Sequence, residues 1–230
     1  MKAVCIVVKD NKISEQGYNK LSETSKQVGN DFNILKWNAI TPDTVDKFMS
    51  NAGLTWNYPW QGSHYDKTTN LIKSAYTTAN QKARIACACS HYSLWSESAY
   101  KDITMLILEH DAMFIKKLDF DPDKTGANII GINNPIGATR KANVFHSKLQ
   151  ESDKQFQLTP IIDDDKIPQG LAGNSAYIIR PEGAKKLLEL VNIHGLWPND
   201  AIMCRQLMPK LGVTKTYYTK VQGLQSTTSS

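Results

Sequence analysis

Residues 105–111 read Met-Leu-Ile-Leu-Glu-His-Asp. Four apolar residues in a row have the length and composition of a strand buried on both faces. They run straight into two carboxylates, Glu109 and Asp111, spaced by one. A strand with two buried faces belongs to a mostly parallel sheet with helices on both faces, and such sheets bind ligands beyond the carboxyl ends of their strands. The segments on either side support this. Upstream, Ala83–Tyr100 has helical periodicity, with Ile85, Ala88, Cys89, Tyr92, Ser96 and Ala99 on one face, and Leu71–Tyr76 leads towards it. Lys2–Val8 and Phe32–Trp37 read as strands with a polar helix, Asn11–Val28, between them. Pro42, flanked by Thr41 and Asp43, predicts a helix start before Val45–Met49. Downstream, Asn128–Ile132 and Ser175–Arg180 read as strands. Pro181 opens a helix that Gly195 stops, a second helix is expected from Pro198-Asn199-Asp200 to Gly212, and a last strand over Val213–Val221. Leu54–Asp66 reads as a long functional loop, and residues 133–170 as polar and loop-rich. The fold class is α/β.

Composition narrows the possibilities. The chain has 230 residues, 41% of them hydrophobic and 21% charged, enough for one sizeable core. No apolar run reaches the roughly 20 residues of a membrane-spanning helix, and no secretory signal is legible, so the expectation is a cytoplasmic protein with no membrane insertion. Cys5, Cys87, Cys89 and Cys204 are too scattered for a disulfide framework, and the Cys87-Ala88-Cys89 spacing has no second pair to complete a zinc site. A net charge of +5 permits a polyanionic partner without requiring one.

Alternation along a continuing strand would turn Glu109 and Asp111 to the same side, where both could hold a hard cation such as Mg²⁺ or Mn²⁺, which in turn holds a diphosphate. A solvated strand end with a capping Asp reads equally from the spacing. Asp200 is either a helix cap or a general base. His91 beside Ser90 reads as a structural histidine. Asp163-Asp164-Asp165 is a metal candidate or a solvated loop. Trp56, Tyr58 and Trp60 either stack on a ligand ring or pin their loop to the core. Lys116, Lys117, Arg140 and Lys141 are basic but dispersed. Dinucleotide, P-loop and nucleophile-elbow signatures are missing.

Several motifs in one order resemble glycosyltransferase family 25, which includes lipooligosaccharide and collagen galactosyltransferases. Ala86-Cys87-Ala88-Cys89-Ser90-His91-Tyr92-Ser93-Leu94-Trp95 is similar to that family's GCxLSHxxLW. Ile107-Leu108-Glu109-His110-Asp111-Ala112 is similar to its ILEDDA, and Gly173–Ile179 followed by Ala184–Leu188 to its GxxAYlis…AakkLL. Pro198-Asn199-Asp200 stands at its PxD, and Gln222 with Ser226 at its terminal Q…S. The likeness covers roughly residues 84–226. It implies a single GT-A-like domain over 1–230 and an inverting transfer from a UDP-sugar to a hydroxyl, with Mn²⁺ or Mg²⁺ on the diphosphate. It implies Glu109 and Asp111 as metal ligands and Asp200 as base. It also implies Ser90, His91, Gly173, Asn174 and Gln222 near the donor, with Asp163–Asp165, Gln169 or Asn174 available to choose its sugar. Two departures stand out. His110 replaces the middle acid, and Ile6-Val7-Val8-Lys9-Asp10 replaces the family's INLxR pattern, so residues 1–80 form a divergent nucleotide-binding half.

That divergence, the basic balance and the missing anchor favour a phage enzyme that modifies hydroxymethylated cytosine in DNA. It would use distributed phosphate contacts and a flipped base, with the Trp56–Trp60 loop against it. A surface-glycan acceptor is the alternative. A non-catalytic nucleotide- or nucleic-acid-binding GT-A module is the rival from another class, supported by the altered acidic triplet.

Overall fold

The computed structural model describes residues 1–76, 78–138 and 141–224, so the Arg140 and Ser226 readings lie outside the described residues. Its centre is a seven-stranded sheet in the order β2-β1-β5-β9-β7-β10-β8. These are β1 (Lys2–Val7), β2 (Ile34–Asn38), β5 (Met105–Glu109), β7 (Ile129–Gly131), β8 (Phe156–Leu158), β9 (Ala176–Ile179) and β10 (Leu211–Thr214). β1 pairs in parallel with β2 and β5, and β7 with β10, whereas β9 runs antiparallel to both β5 and β7, and β8 antiparallel to β10. The α/β, mostly parallel expectation holds, with two reversed strands that residue patterns cannot show.

The sheet has two cores because alternate residues face opposite ways. Met105 and Ile107 pack with α2 (Val45–Ala52), α3 (Gln81–Lys101), α5 (Pro181–His194) and α6 (Asn199–Ile202). Leu106 and Leu108 pack on the other face against Leu21 of α1 (Lys12–Gln27) and Phe114 of a two-stranded sheet. That small sheet pairs β6 (Ala112–Phe114) with β11 (Thr219–Val221). α3 is buried more widely than one stripe: Ala86, Ser90, His91, Leu94 and Trp95 are all covered, because α2, α5 and the sheet enclose it. No helix of the described residues is long and apolar enough to cross a membrane.

Four expectations need correction. The helix expected from Pro198 to Gly212 is one turn, α6. Beyond it the backbone bonds sideways to the 159–170 loop: Arg205 N donates to Gln169 O at 2.9 Å, and its guanidinium to Thr159 O at 2.8 Å. The last strand is two, β10 and β11, because the chain leaves the main sheet after Thr214 to pair with β6. The Leu54–Asp66 stretch is not all loop. Trp56 bridges to Leu196 and stacks on Trp60 with centroids 4.9 Å apart. Tyr58 is buried against Trp197, and Ser63–Asp66 (β3) forms a hairpin with Leu71–Ser74 (β4). The loop-rich 133–170 stretch also contains a helix, α4 (Ala142–Gln150), as well as β8.

Gly17 shows how tightly α1 seats on this frame. A Cβ there would collide with the backbone carbonyl of His110, which cannot swing away as a side-chain tip would. Gly17→Ala is expected to cost about 1–3 kcal/mol. A thermal melt would check this, and an unchanged midpoint would show that the turn after β5 yields freely.

Candidate active site

Glu109 is the last residue of β5 and shares the parity of Met105 and Ile107, so its carboxylate points towards α3. There it meets His91 Nε2 at 3.0 Å. The other nitrogen, Nδ1, lies 2.9 Å from the Tyr177 hydroxyl, which also accepts from Trp95 Nε1 at 2.8 Å. Because the indole can only donate, the single Tyr177 proton is free for Nδ1, which leaves Nε2–H to donate to Glu109. The SHxxLW spacing thus puts two anchors, His91 and Trp95, one turn apart on the face of α3 that meets β9. Burial would raise the Glu109 carboxyl, but the His91 hydrogen bond, the nearby His91 and His110 rings and the Arg84 charge hold it below its ordinary value. Tyr177→Phe strands the buried Trp95 N–H. It is expected to cost about 1–3 kcal/mol, read as a lower urea midpoint at constant slope.

Alternation does not carry on to Asp111. β5 stops at Glu109, and His110-Asp111 turn the chain into β6. Both carboxylates nevertheless line one cavity. Gln222 holds the turn in place: its N–H donates to Asp111 O at 2.7 Å. Its amide reaches the carbonyls of Gly17, His110 and Ala112 at 2.9, 3.1 and 2.7 Å. Gln222 is therefore a brace behind the acidic turn rather than a group lining the cavity.

The reversal of β9 brings its amino end beside the carboxyl end of β5, where Glu109 N donates to Ser175 O at 2.8 Å. Gly173 and Asn174 enter the cavity at this point. Gly173 has φ +88°, and a Cβ there would press on Ala138 and Asn133. Asp200 in α6 also lines the cavity, and its main chain packs so closely on Gly170 that any side chain at 170 would strike the Asp200 carbonyl. Pro198 takes the N-cap position of α6, and Asp200 is the acidic residue of its first turn.

The cavity is about 350 Å³ and holds a concentration of unsatisfied polar atoms. Among the described residues, Arg84 Nε, Asp111 Oδ1, both amide atoms of Asn174 and Asp200 Oδ1 are buried with no hydrogen-bond partner. Each such group costs about 1–3 kcal/mol when left unmade, so converging several on one space is characteristic of a site built for a polar ligand. Burial, then repulsion from Glu109, pushes the Asp111 carboxyl up to about 7. Burial also raises Asp200, with Arg84 opposing and Glu109 adding to the shift. Burial lowers His110 against the pull of Glu109. Burial and the neighbouring Asp200 push the Tyr76 hydroxyl well above the phenol range.

A second cavity of about 430 Å³ adjoins the first through Cys87, Glu109 and His110. Its walls are the residues after β1, from Val8 to Asn11, and those after β2, from Ala39 to Asp43. His91 and Ser90 border it. Ser90 Oγ donates to Ala86 O and accepts from Ile40 N at 2.8 Å, tying the β2 exit to α3.

Other candidates lie apart or are committed elsewhere. Asp163 pairs with Lys141, and Asp164 is lowered by the Lys166 backbone hydrogen bond, so these acids form a turn rather than a cluster facing the carboxylates. Gln169 spends its amide on Ile162 N and Ile167 O. Lys116 sits over Tyr218, and Lys117 lies near Gly29. Sequence reasoning missed Arg84 and Tyr177. An arginine one turn into the helix that precedes an acidic strand was the available signal for the first. For the second, the Tyr of the GxxAYlis likeness was the available signal, though Tyr177 otherwise looks like core.

The family model described as "Glycosyltransferase family 25 (LPS biosynthesis protein)" matches residues 12–203. Among the curated proteins none matches. Among solved structures, the chain is similar to the galactosyltransferase LgtC in complex with donor and acceptor sugar analogs. The identity is 11% and the TM-score 0.43, covering 93% of this chain and 73% of that one. An active-site mutant of LgtC gives 12% and 0.41, covering 93% and 72%.

Proposed function

Because the chain belongs to glycosyltransferase family 25, we propose that it moves a sugar, with inversion, from a UDP-sugar to a hydroxyl of a surface glycan. The convergence of unpartnered buried polar atoms from Arg84, Asp111, Asn174 and Asp200 on one cavity carries this reading. The uridine fits the cavity beyond β1 and β2, and the diphosphate spans the shared Glu109–His110 boundary. The sugar then lies between Asn174 and Asp200.

Glu109 and Asp111 suit Mn²⁺ or Mg²⁺, since both offer hard oxygen donors and Asp111 Oδ1 is a buried acceptor without a donor. A cation there supplies charge neutralisation for the departing UDP. The remaining chemistry belongs to the chain. Asp200 takes the proton of the acceptor hydroxyl while its oxygen forms a bond to the anomeric carbon and the bond from that carbon to the diphosphate oxygen breaks. Its burial makes it a stronger base than a solvated carboxylate. Asn174 offers a donor and an acceptor to sugar hydroxyls, and Arg84 a cation near the leaving group.

The family's description as an LPS biosynthesis protein supports a glycan over DNA. Lys116 and Lys117 do not border either cavity, and Lys141 pairs with Asp163. The deciding experiment offers Mn²⁺, a panel of UDP-sugars, and either lipooligosaccharide-type glycans or hydroxymethylcytosine DNA, and reads UDP release and product mass. Sugar on the glycan is expected. A mass gain on the modified nucleoside would move the acceptor to DNA. No UDP release from any pair, slow donor hydrolysis included, would leave a nucleotide-binding module.

A further inference from the structure

Cys87 and His91 lie four residues apart on α3, one above the other on the same face. Glu109 approaches that face from the end of β5. The donor atoms of these three side chains all lie within 4.8 Å of one another. We propose that Cys87, His91 and Glu109 form a second cation site, overlapping the Glu109–Asp111 pair at Glu109, which takes a thiophilic divalent ion such as Zn²⁺ and blocks the enzyme when filled.

The donor set decides the class of ion. A thiolate, an imidazole and one carboxylate select Zn²⁺, Cd²⁺ or Co²⁺ over Mg²⁺, which demands oxygen. Three protein ligands with the fourth position left to water or substrate are the usual form of an open zinc site. Cys87 and Glu109 border both cavities, so an ion has an entry path and its free position faces the cleft.

The surroundings of His91 strengthen the assignment. Metal-bound histidines nearly always anchor their other nitrogen, and Nδ1 lies 2.9 Å from a Tyr177 hydroxyl that Trp95 fixes in turn. Without an ion, the Nε2 proton bridges to Glu109 at 3.0 Å. When an ion takes that place, His91 stays neutral and carries its proton on Nδ1 instead, donating to the Tyr177 oxygen. The Cys87 thiol gives its proton to solvent as the sulfur–metal bond forms, so one proton leaves per ion bound. No electron moves.

Blocking follows from Glu109 being shared, and this half of the proposal rests on the transfer reading above. An ion bound to Cys87 and His91 draws Glu109 away from the diphosphate side, so Zn²⁺ competes with Mn²⁺. The chain carries no CxxC pair, so the site depends on α3 and β5 meeting and has no sequence signature of its own.

The test is a Cd²⁺ titration of the metal-free protein, read by the ultraviolet charge-transfer band of a cadmium–thiolate bond. A band that saturates at one ion per chain is expected. It should vanish in Cys87→Ser, persist in Cys89→Ser, and weaken about tenfold or more in His91→Gln and Glu109→Gln. Thermal melts of each variant check that it folds. No band, or a band that survives Cys87→Ser, overturns the site. In turnover assays Zn²⁺ should inhibit the wild type, with relief by excess Mn²⁺, and Cys87→Ser should need about tenfold more Zn²⁺. Cd²⁺ binding at Cys87 without Zn²⁺ inhibition overturns the blocking role. A wild type that turns over no donor at all would sink the transfer reading, while the Cd²⁺ band still decides the site.

Discussion

Asp111→Asn is expected to abolish sugar transfer and, at the same time, to make the protein more stable. The loss of turnover should be about 10³-fold, or roughly 4 kcal/mol of transition-state stabilisation, since one of the two carboxylates proposed to hold the cation is gone. The gain comes from the same crowding. Its carboxyl sits at about 7 in the fold against an ordinary value of 3.8. The folded chain therefore holds this proton more tightly than the unfolded chain does. For a carboxyl raised in this way, the stabilising contribution is full below about pH 4. It is lost as pH climbs towards 7, and the deficit is constant above that. Asn carries no charge to bury. Discounted for partial exposure, the gain at pH 8 is about 1–2 kcal/mol, or roughly 2–8 °C in the melting midpoint. At pH 4 it should disappear. Melting curves at the two pH values, beside a UDP-release assay, would check both halves. A variant that is inactive and less stable at pH 8 would mean that Asp111 is a structural residue with partners of its own.

Asp200→Asn should separate binding from chemistry. The amide keeps the shape of the carboxylate but takes no proton, so kcat should fall about 10²–10⁴-fold while the KM for the donor stays near its wild-type value. The reason lies in where Asp200 sits. It lines the cavity from α6 and is proposed as the base for the acceptor hydroxyl, not as a group that holds the donor. Donor affinity measured by calorimetry would confirm that the pocket is intact. A large loss of donor affinity with little change in kcat would assign Asp200 to sugar recognition and leave the base unidentified. Asp200→Glu tests the same point by length, because the close packing of Gly170 on the Asp200 main chain prevents α6 from backing away.

Much of this arrangement was legible in the residues, and what was not has physical causes. The runs Lys2–Val8 and Met105–Leu108 fill strands buried on both faces, so apolar content alone located β1 and β5. Pro181 and Gly195 bracket α5 as start and stop. Direction is another matter: nothing in Ala-Tyr-Ile-Ile at 176–179 says that β9 runs backwards. Yet that reversal is what delivers Gly173 and Asn174 to Glu109. The helix expected after Pro198 stopped after one turn because Gly170 and the 159–169 loop offered its backbone better partners, a tertiary effect with no local trace. β6 and β11 are three residues each and mean little until they find one another. At the site, Glu109 and Asp111 stood out because carboxylates after an apolar run are conspicuous. Asp200 stayed ambiguous because a cap and a base have the same letter. Tyr177 was overlooked because, outside the family likeness, a fully buried tyrosine spells the same as core.

The hold of Gln222 on residues 17, 110 and 112 also has a consequence for the order in which the molecule is made. On the ribosome, the sheet's first strands and α3 emerge long before residue 222, by several seconds at about 5–20 residues per second. Until that residue arrives, the turn after β5 has no brace, and Glu109 and Asp111 need not share a confined space. The turn that holds these mutually repelling carboxylates is therefore closed after the strands and helix that flank it have been made. A nascent chain released short of Gln222 should be a folded sheet with a slack, inert cleft.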